Sequence, residues 1–528
     1  MKSTHLYASD GADIVIYGGT SGAIVAAIAA RQAGKTVVLV SPDKHLGGLT
    51  SGGLGWTDIG NASILGGLAR EFYHRVWKYY QDPGAWRNGE TLNKEAGQHG
   101  PAIDDANQLM FVFEPKVAEV VFQQWLEETG VSVEYGRLDL ANGIVKKGLR
   151  LIAFRTEDGR EFPGKVFLDA TYEGDLMAKT GISYVIGRES ASCHDESLNG
   201  QQVALAVKNQ LPSGIDPYIR KGDPSSGRLP GVNPPPLLVD GAGDGRIQAY
   251  CYRMCLTDDP ENRVPVEKPE NYCDEDYELL FRAIEAGQKG GFFKLSPMPN
   301  RKTDSNNEGG ISIDLIGGSQ GYPEGSYAER EQIAQTHERW QRGLIWTLQH
   351  HPRVPAAIRA FYAAWGLPKD EFPDNSHWSP ALYVREARRM VGDYVLTQSI
   401  LEKGLPAARP VALGAYAMDS HNVQRVIGPN GDVRNEGDVQ RRLSKPYEID
   451  YGVLLPRRDQ CENMLVPFCI SATHVAFGSV RMEPVFMILG QSAAIAACLA
   501  EEKGIAVQDV PYPELRERLI TGGQHLAP

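Results

Sequence analysis

The residues whose type and setting can do chemistry are two histidines, a cluster of arginines and a glycine-rich turn. His421 and His474 each lie in a polar stretch and not on an apolar stripe, and imidazole is the usual acid–base group near neutral pH. Asp419 stands two residues before His421, close enough for a carboxylate to hold the imidazole tautomer. The spacing predicts a helix over 383–390 that places Arg385, Arg388 and Arg389 on one face at i, i+3 and i+4. Such a face is either a clamp for an anion or sugar hydroxyls, or is paired internally with Glu386 and neighbouring acids. Asp304-Ser305-Asn306-Asn307 reads as a polar loop that either hydrogen-bonds a hydroxylated substrate or forms an Asx turn.

The glycine turn is Gly18-Gly19-Thr20-Ser21-Gly22-Ala23. It follows an apolar run over 13–17 and opens an alanine-rich stretch over 21–33, and a second apolar run over 36–40 completes a βαβ unit. Small residues at a strand–helix turn let the backbone approach a pyrophosphate at a helix N-terminus. Only the first glycine of the usual pattern is standard. The acidic residue expected at the end of the second strand is replaced by Ser41-Pro42, so ribose contact falls to Ser41, a backbone group or Asp43. The next stretch, His45-Leu46-Gly47-Gly48-Leu49-Thr50-Ser51-Gly52-Gly53-Leu54-Gly55-Trp56, packs five glycines into twelve residues. Such a belt lets backbone lie against a flat ligand. It suits a two-part cofactor whose isoalloxazine lies beyond the pyrophosphate, which is FAD and not NAD. Gly47, Gly48, Leu49, Ser51 and Gly52 are the belt residues expected against it.

The elements that must position these groups follow the same alternation. Helices are expected over 68–80, 116–129 and 484–501, and strands near 131–135, 149–155, 166–169 and 463–466. Prolines and glycines crowd 211–245 and 297–325, the signature of loop-rich insertions. Gly241-Ala242-Gly243-Asp244-Gly245 follows no strand and opens no helix, so it is a turn and not a second nucleotide site. With 528 residues the chain is long enough for two or three cores. A net charge of −12 argues against nucleic acid and anionic membrane as partners. Seven scattered cysteines suggest reduced thiols in a cytoplasmic protein. Cys251 and Cys255 are expected as buried thiols, with no metal site. No secretory signal is read in residues 1–7.

On the blocks over 17–30, 45–58, 169–176, 383–390, 418–422, 469–484 and 490–493, the chain resembles the bacterial FAD-dependent oxidoreductases of the glutathione-reductase-like superfamily, some of whose members carry a xanthan lyase-like label. The resemblance implies an α/β architecture. A Rossmann-like FAD-binding domain is built from 1–180 and 441–528, and an α+β substrate or cap domain is inserted at 181–440. It also implies a second FAD contact at Ala170 and Asp175, and a helix aimed at the pyrimidine end of the flavin from Arg481, Glu483 and Gln491. His474, seven residues before Arg481, then falls close to the flavin. Some related flavoenzymes attach FAD through a histidine near His45, but the spacing to the glycines differs here. The function expected is dehydrogenation of a small hydroxylated compound such as a sugar derivative, with His421, His474, Arg385 and Arg481 as the catalytic candidates. The electron acceptor or donor and any homo-oligomer stay open. The alternatives are elimination or isomerisation without net redox change, and a flavin-binding scaffold without turnover. A lyase needs no dinucleotide turn.

Overall fold

The computed structural model describes residues 11–87, 89, 92–98, 100–234 and 239–528; the opening residues 1–7 lie outside them. Strand β1 (Ala12–Tyr17) is buried along nearly its whole length, as an apolar run must be when both sheet faces are covered. The chain turns at Gly18, whose φ of +138° a side chain rarely tolerates and where a Cβ would strike the Ala170 carbonyl. Helix α1 (Ser21–Gln32) starts at Thr20, whose hydroxyl accepts the Ala23 N–H at 3.2 Å. Strand β2 (Val37–Ser41) follows, then α2 (Gly67–Tyr79) and α3 (Pro115–Thr129). Proline stands in the first turn of α3, and Gly130 closes it at φ +65°.

Strands β3 (Ser132–Tyr135), β4 (Ile144–Lys147), β5 (Arg150–Arg155) and β6 (Glu161–Asp169) complete the main sheet from this half of the chain. The order is β3-β2-β1-β6-β5-β4, parallel through the first four and antiparallel through the last three. The first half of β6 pairs with β5. Its second half pairs in parallel with Met464–Leu465, far along the chain, so the long β6 serves two partners on one edge. β1 therefore lies between its sequence neighbour β2 and the distant β6. That is the switch point at which open α/β sheets leave a crevice beyond the strand ends.

After the short helix α4 (Asp175–Thr180) the chain builds a three-stranded antiparallel sheet. Its strands are β7 (Met254–Thr257), β8 (Ser296–Met298) and β9 (Lys302–Ser305), with β9 central. The 24-residue helix α5 (Tyr327–His350) begins at a capping box of Ser326 and Glu329. Strand β10 (Met464–Leu465) and the helices α6 (His474–Val480) and α7 (Glu483–Lys503) return to the main sheet. One apolar cluster joins that sheet, α1 to α3 and α7, and a second is built mainly from residues 211–433 around β7 and α5.

Helix α7 is long and apolar enough to cross a bilayer, but 94% of its most apolar window is buried in the protein. It packs chiefly on α1, whose first ten residues are all buried. The two helices meet at glycine: a Cβ on Gly490 would run into the Gly22 backbone, and one on Gly22 into the Phe486 carbonyl and the Phe468 ring. Gly22 thus sets helix contact.

Two expectations fail. Residues 383–390 do not form a helix; the chain is extended, with only Arg389–Met390 pairing as a strand. An amphipathic helix needs a wet face, and every residue from 383 to 390 is buried. Arg385, Arg388 and Arg389 consequently share no face. Each goes to a different carboxylate, at Asp314, Asp175 and Glu189 respectively. The polar loop expected at Asp304–Asn307 begins as the end of β9, where Asp304 is buried and salt-bridged. Cys251 and Cys255 are free, buried thiols, and residues 241–245 carry no regular element.

Candidate active site

The crevice at the switch point is a cavity of about 430 Å³ lined by Gly19, Thr20, Pro42, Asp43 and Gly48 on one side. Tyr172, Glu173 and Asp175 line it from the end of β6, and residues 379–382 cover it. Helix α1 points its N-terminus here and has no acidic residue in its first turn, which suits an anion. Thr20 also donates to the Ala170 carbonyl at 2.8 Å, tying the turn to β6. The Ser41 hydroxyl donates to the Asp43 carbonyl at 2.6 Å and accepts its N–H, so it closes the turn after β2. Asp43 is left presenting a carboxyl to the cavity, pushed up from the ordinary range by burial although Arg137 and His45 pull it down. Small residues and a bare helix N-terminus at the strand ends fit a dinucleotide.

The belt follows directly. Gly47 and Gly48 both take positive φ; the Gly47 N–H reaches the Gly19 carbonyl at 2.7 Å, locking belt to turn. Ser51 donates to the Leu46 carbonyl, and the Gly52 carbonyl accepts from Ser379. Leu49 donates its N–H to the Tyr172 hydroxyl at 2.9 Å. Glu483, at the start of α7, is buried without a cation and accepts three hydroxyls: Ser21 at 2.5 Å, Thr50 at 2.7 Å and Tyr172 at 2.6 Å. One carboxylate thereby pins α1, the belt and the end of β6, and burial raises its pKa. Asp175 is held by Arg330 through two hydrogen bonds of 2.6 and 2.8 Å and by Arg388 at 2.8 Å, and these cations lower its pKa against the effect of burial. Gln491 lies elsewhere, accepting the Leu68 N–H and donating to the Gly522 carbonyl, where it ties α7 to α2 and the C-terminal segment. The His45 ring sits between Glu119 at 3.1 Å and Asp374 at 3.3 Å.

Behind the belt stands a chamber packed with buried polar side chains. A Cβ on Gly53 would strike the Arg253 carbonyl, so belt and β7 touch backbone to backbone. Arg253 pairs with Asp304 through two hydrogen bonds, and Asp304 also accepts the Trp56 N–H at 3.0 Å. Asp58, from the end of the belt, accepts from the Tyr416 hydroxyl at 3.2 Å, and burial raises its carboxyl. Arg481 donates to the Tyr383 hydroxyl at 2.8 Å and to the Asp419 carbonyl at 3.0 Å. The Tyr383 ring lies between two cations, with Arg385 4.5 Å and Arg481 5.7 Å from its centre.

His421 enters this chamber with Nδ1 2.6 Å from Asp314 and Nε2 3.9 Å from Asp419. Asp314, not the expected Asp419, fixes the tautomer: Nδ1 donates its proton to Asp314, which leaves the Nε2 lone pair 3.9 Å from Asp419. Arg385 holds the other oxygen of Asp314 at 3.0 Å. Burial, then the charge of Arg385, lower the His421 pKa, while Asp314 raises it in part. The balance favours the uncharged ring, the form able to accept a proton. Sequence reasoning passed over Asp314, Tyr383, Arg253 and Asp58. Asp58 ends the belt block and Tyr383 opens the 383–390 block; Asp314 and Arg253 become visible only through contacts with residues more than 50 positions away.

His474 is placed differently. It opens α6, 1% exposed, with Nδ1 2.7 Å from Glu386. Glu386 and Glu189 both bind Arg389, and burial with the nearby cations depresses the imidazole to about 3. Gln248 bridges the histidines, accepting the His421 N–H at 3.1 Å and donating to Glu386 at 2.9 Å. Among the described residues, Glu114, Asp370 and Glu371 approach closely enough to suggest a metal site. The Lys302 ammonium occupies its centre at 2.7, 2.9 and 2.5 Å.

No curated protein matches the chain. Solved structures match at low similarity: THI4 from Thermovibrio ammonificans at 16% identity (35% of this chain, 70% of that one, TM-score 0.22), and an L-amino acid deaminase from Proteus vulgaris at 15% (38% and 55%, TM-score 0.23). A flavin monooxygenase from Stenotrophomonas maltophilia matches at 16% (30% and 38%, TM-score 0.18). The chain spans 37%, 38% and 35% of three such structures. These likenesses are too slight to carry an argument. The model of the family described as FAD dependent oxidoreductase, by contrast, matches residues 13–519, taking in the turn, the belt, the chamber and α7, and the chain belongs to that family as an FAD-dependent enzyme.

Proposed function

We propose that the protein is a dehydrogenase of small hydroxylated compounds, sugar derivatives among them, with His421 as the base. The observation that carries this reading is the triad of Arg385, Asp314 and His421 set behind the glycine belt. When bound, FAD supplies the two-electron acceptor. In this reading Gly19, Thr20 and the α1 N-terminus would hold its pyrophosphate, and the Asp43 carboxyl would take ribose hydroxyls. The belt at Gly47–Gly52 would bed the flavin ring on backbone.

The substrate hydroxyl gives its proton to His421 Nε2 as its C–H is oxidised, and Asp314 stabilises the imidazolium that forms. Arg481 and Tyr383 hold the substrate oxygens. The protein atoms supply position and a proton acceptor in a site from which bulk water is largely excluded. Residues 181–440 provide His421, Asp314, Arg385 and Tyr383, which suits a substrate-bearing part laid over a cofactor-bearing one.

The test is an absorbance spectrum of the FAD-loaded protein under anaerobic addition of sugars, polyols, hydroxy acids, amines and thiols. Bleaching of the flavin band by hydroxylated compounds is expected, lost in His421→Asn at unchanged flavin content. Bleaching only by amines or thiols, or at the wild-type rate in His421→Asn, refutes the assignment.

A further inference from the structure

A second cavity, of about 990 Å³, takes Trp56 into its lining. Its floor is Ile284, Phe293, Ile358 and Tyr362, all less than a tenth exposed, and Phe361, 56% exposed, forms its lip. Trp56 makes one wall, its ring held by a 2.7 Å hydrogen bond from Nε1 to the Pro297 carbonyl. Four aromatic side chains thus surround one opening, and the size is that of a small-molecule site, roughly 300–1,000 Å³. Lys289 and Lys294 stand at the rim with no ion pair among the described residues, against the single carboxylate of Glu308. The rim therefore carries one positive charge in excess.

The position ties this cavity to the chamber. Trp56 follows Gly52 by four residues, a span of at most about 14 Å of chain. Its backbone N–H rests on Asp304, which is bound to Arg253 in the chamber. Electrons taken from a substrate must leave the enzyme, and among the described residues no second glycine-rich strand–turn–helix offers a nicotinamide site. The glycines at 241–245 lie in a turn anchored by the pair of Arg188 and Asp244.

We propose that this cavity binds a quinone as the electron acceptor; the inference rests on the dehydrogenase reading. A quinone is flat and apolar, and carries two carbonyl oxygens that accept hydrogen bonds from ammonium groups and gain negative charge on reduction. Aromatic walls suit its ring, and the lysines suit its oxygens. The balance closes: one H–C–O–H of the substrate becomes C=O, releasing two electrons and two protons, and the two C=O groups of the quinone become two C–OH groups. The electrons pass by way of the bound flavin.

The probe is decylubiquinone, titrated into the FAD-loaded protein while tryptophan emission is followed. Saturable quenching is expected, diminished in Trp56→Phe, and with affinity at least tenfold weaker in Phe361→Ser and in the Lys289→Met/Lys294→Met double variant. Both positions are exposed, so these variants are expected to fold and keep their flavin. Photoreduced holoprotein mixed with decylubiquinone then regains its flavin band, at least tenfold more slowly in the same variants. Absence of saturable binding, or unchanged affinity and reoxidation in the variants, overturns the proposal. The titration reads the cavity without any substrate. If no hydroxylated compound bleaches the flavin yet decylubiquinone binds and reoxidises it as described, the dehydrogenase reading fails and the acceptor site stands.

Discussion

At the scale of single residues the proposed chemistry turns on a histidine held between carboxylates. His421 is kept neutral by burial and by Arg385, while Asp314 pulls its pKa back up. As the proposed base, His421 works deprotonated, so the acid limb of kcat/KM is expected below the ordinary histidine value of 6.5, with activity falling as pH drops through it. Asp314→Asn removes the group that raises the pKa and that orients the ring. The limb should move to still lower pH, and the plateau should fall on the order of 10²- to 10⁴-fold. A pH profile of flavin reduction checks both, and an unmoved limb would separate Asp314 from the histidine. His474 shows the limit of reasoning from residue type alone. The same imidazole, packed among Glu386, Glu189 and Arg389, is a buried member of an ion-pair network.

At the scale of elements, position comes from close contacts between distant pieces of chain. Helix α1 is alanine-rich because α7 lies almost on it. Gly490→Leu places a side chain where the Gly22 backbone stands. Overpacking of that kind costs about 1–3 kcal/mol, and it would push the phosphate turn away from β6. A lowered Tm together with weaker FAD retention is the expected result, measured by calorimetry and by flavin release on dilution. A second device covers the crevice. Residues 372–381 include three non-glycine positions at positive φ, Phe372, Ser376 and His377. The strap is tied down by Asp374 to Lys44 and His45, and by Ser379 to the Gly52 carbonyl. Asp374→Asn loosens one tie, and flavin should dissociate several-fold faster at equal Tm; an unchanged off-rate would show that the strap does not retain cofactor.

For the whole molecule, the junction between α3, β9 and the segment at 370–371 depends on a single buried cation. Lys302 is fully enclosed by Glu114, Asp370 and Glu371, and burial already lifts Glu371 to about 7. Removing one member of a buried pair costs about 3–5 kcal/mol. In Lys302→Met, Glu371 loses its ammonium partner while Glu114 and Asp370 keep Lys116, so the buried carboxylates are driven to bind protons in the native state, above their unfolded pKa values. The folded form then holds more protons than the unfolded one, so stability falls as pH rises. Urea unfolding should show this variant far weaker than the parent at pH 8, with part of the loss recovered near pH 5.5.

Local signals in the sequence determined the βαβ unit, the FAD-type turn and belt, the helices at 21–32, 67–79, 115–129 and 483–503, and membership of the flavin family. These are short-range matters: strand periodicity, alanine content, glycine at turns and proline at helix starts act within a few residues of themselves. Helix α5 was legible too, in the box of Ser326 and Glu329 and in Trp340, Leu344 and Leu348 spaced four apart, but the surrounding glycines and prolines hid it. Tertiary structure alone decided the rest. Whether 383–390 coils or extends depends on burial of every residue and on carboxylates at Asp175, Glu189 and Asp314, none visible from within the segment. The partner of His421 lies 107 positions away, and Lys302 finds Glu114 across 188. A charge in a dry interior must be matched by whatever the fold brings within a few ångströms, and sequence spacing carries no record of that distance.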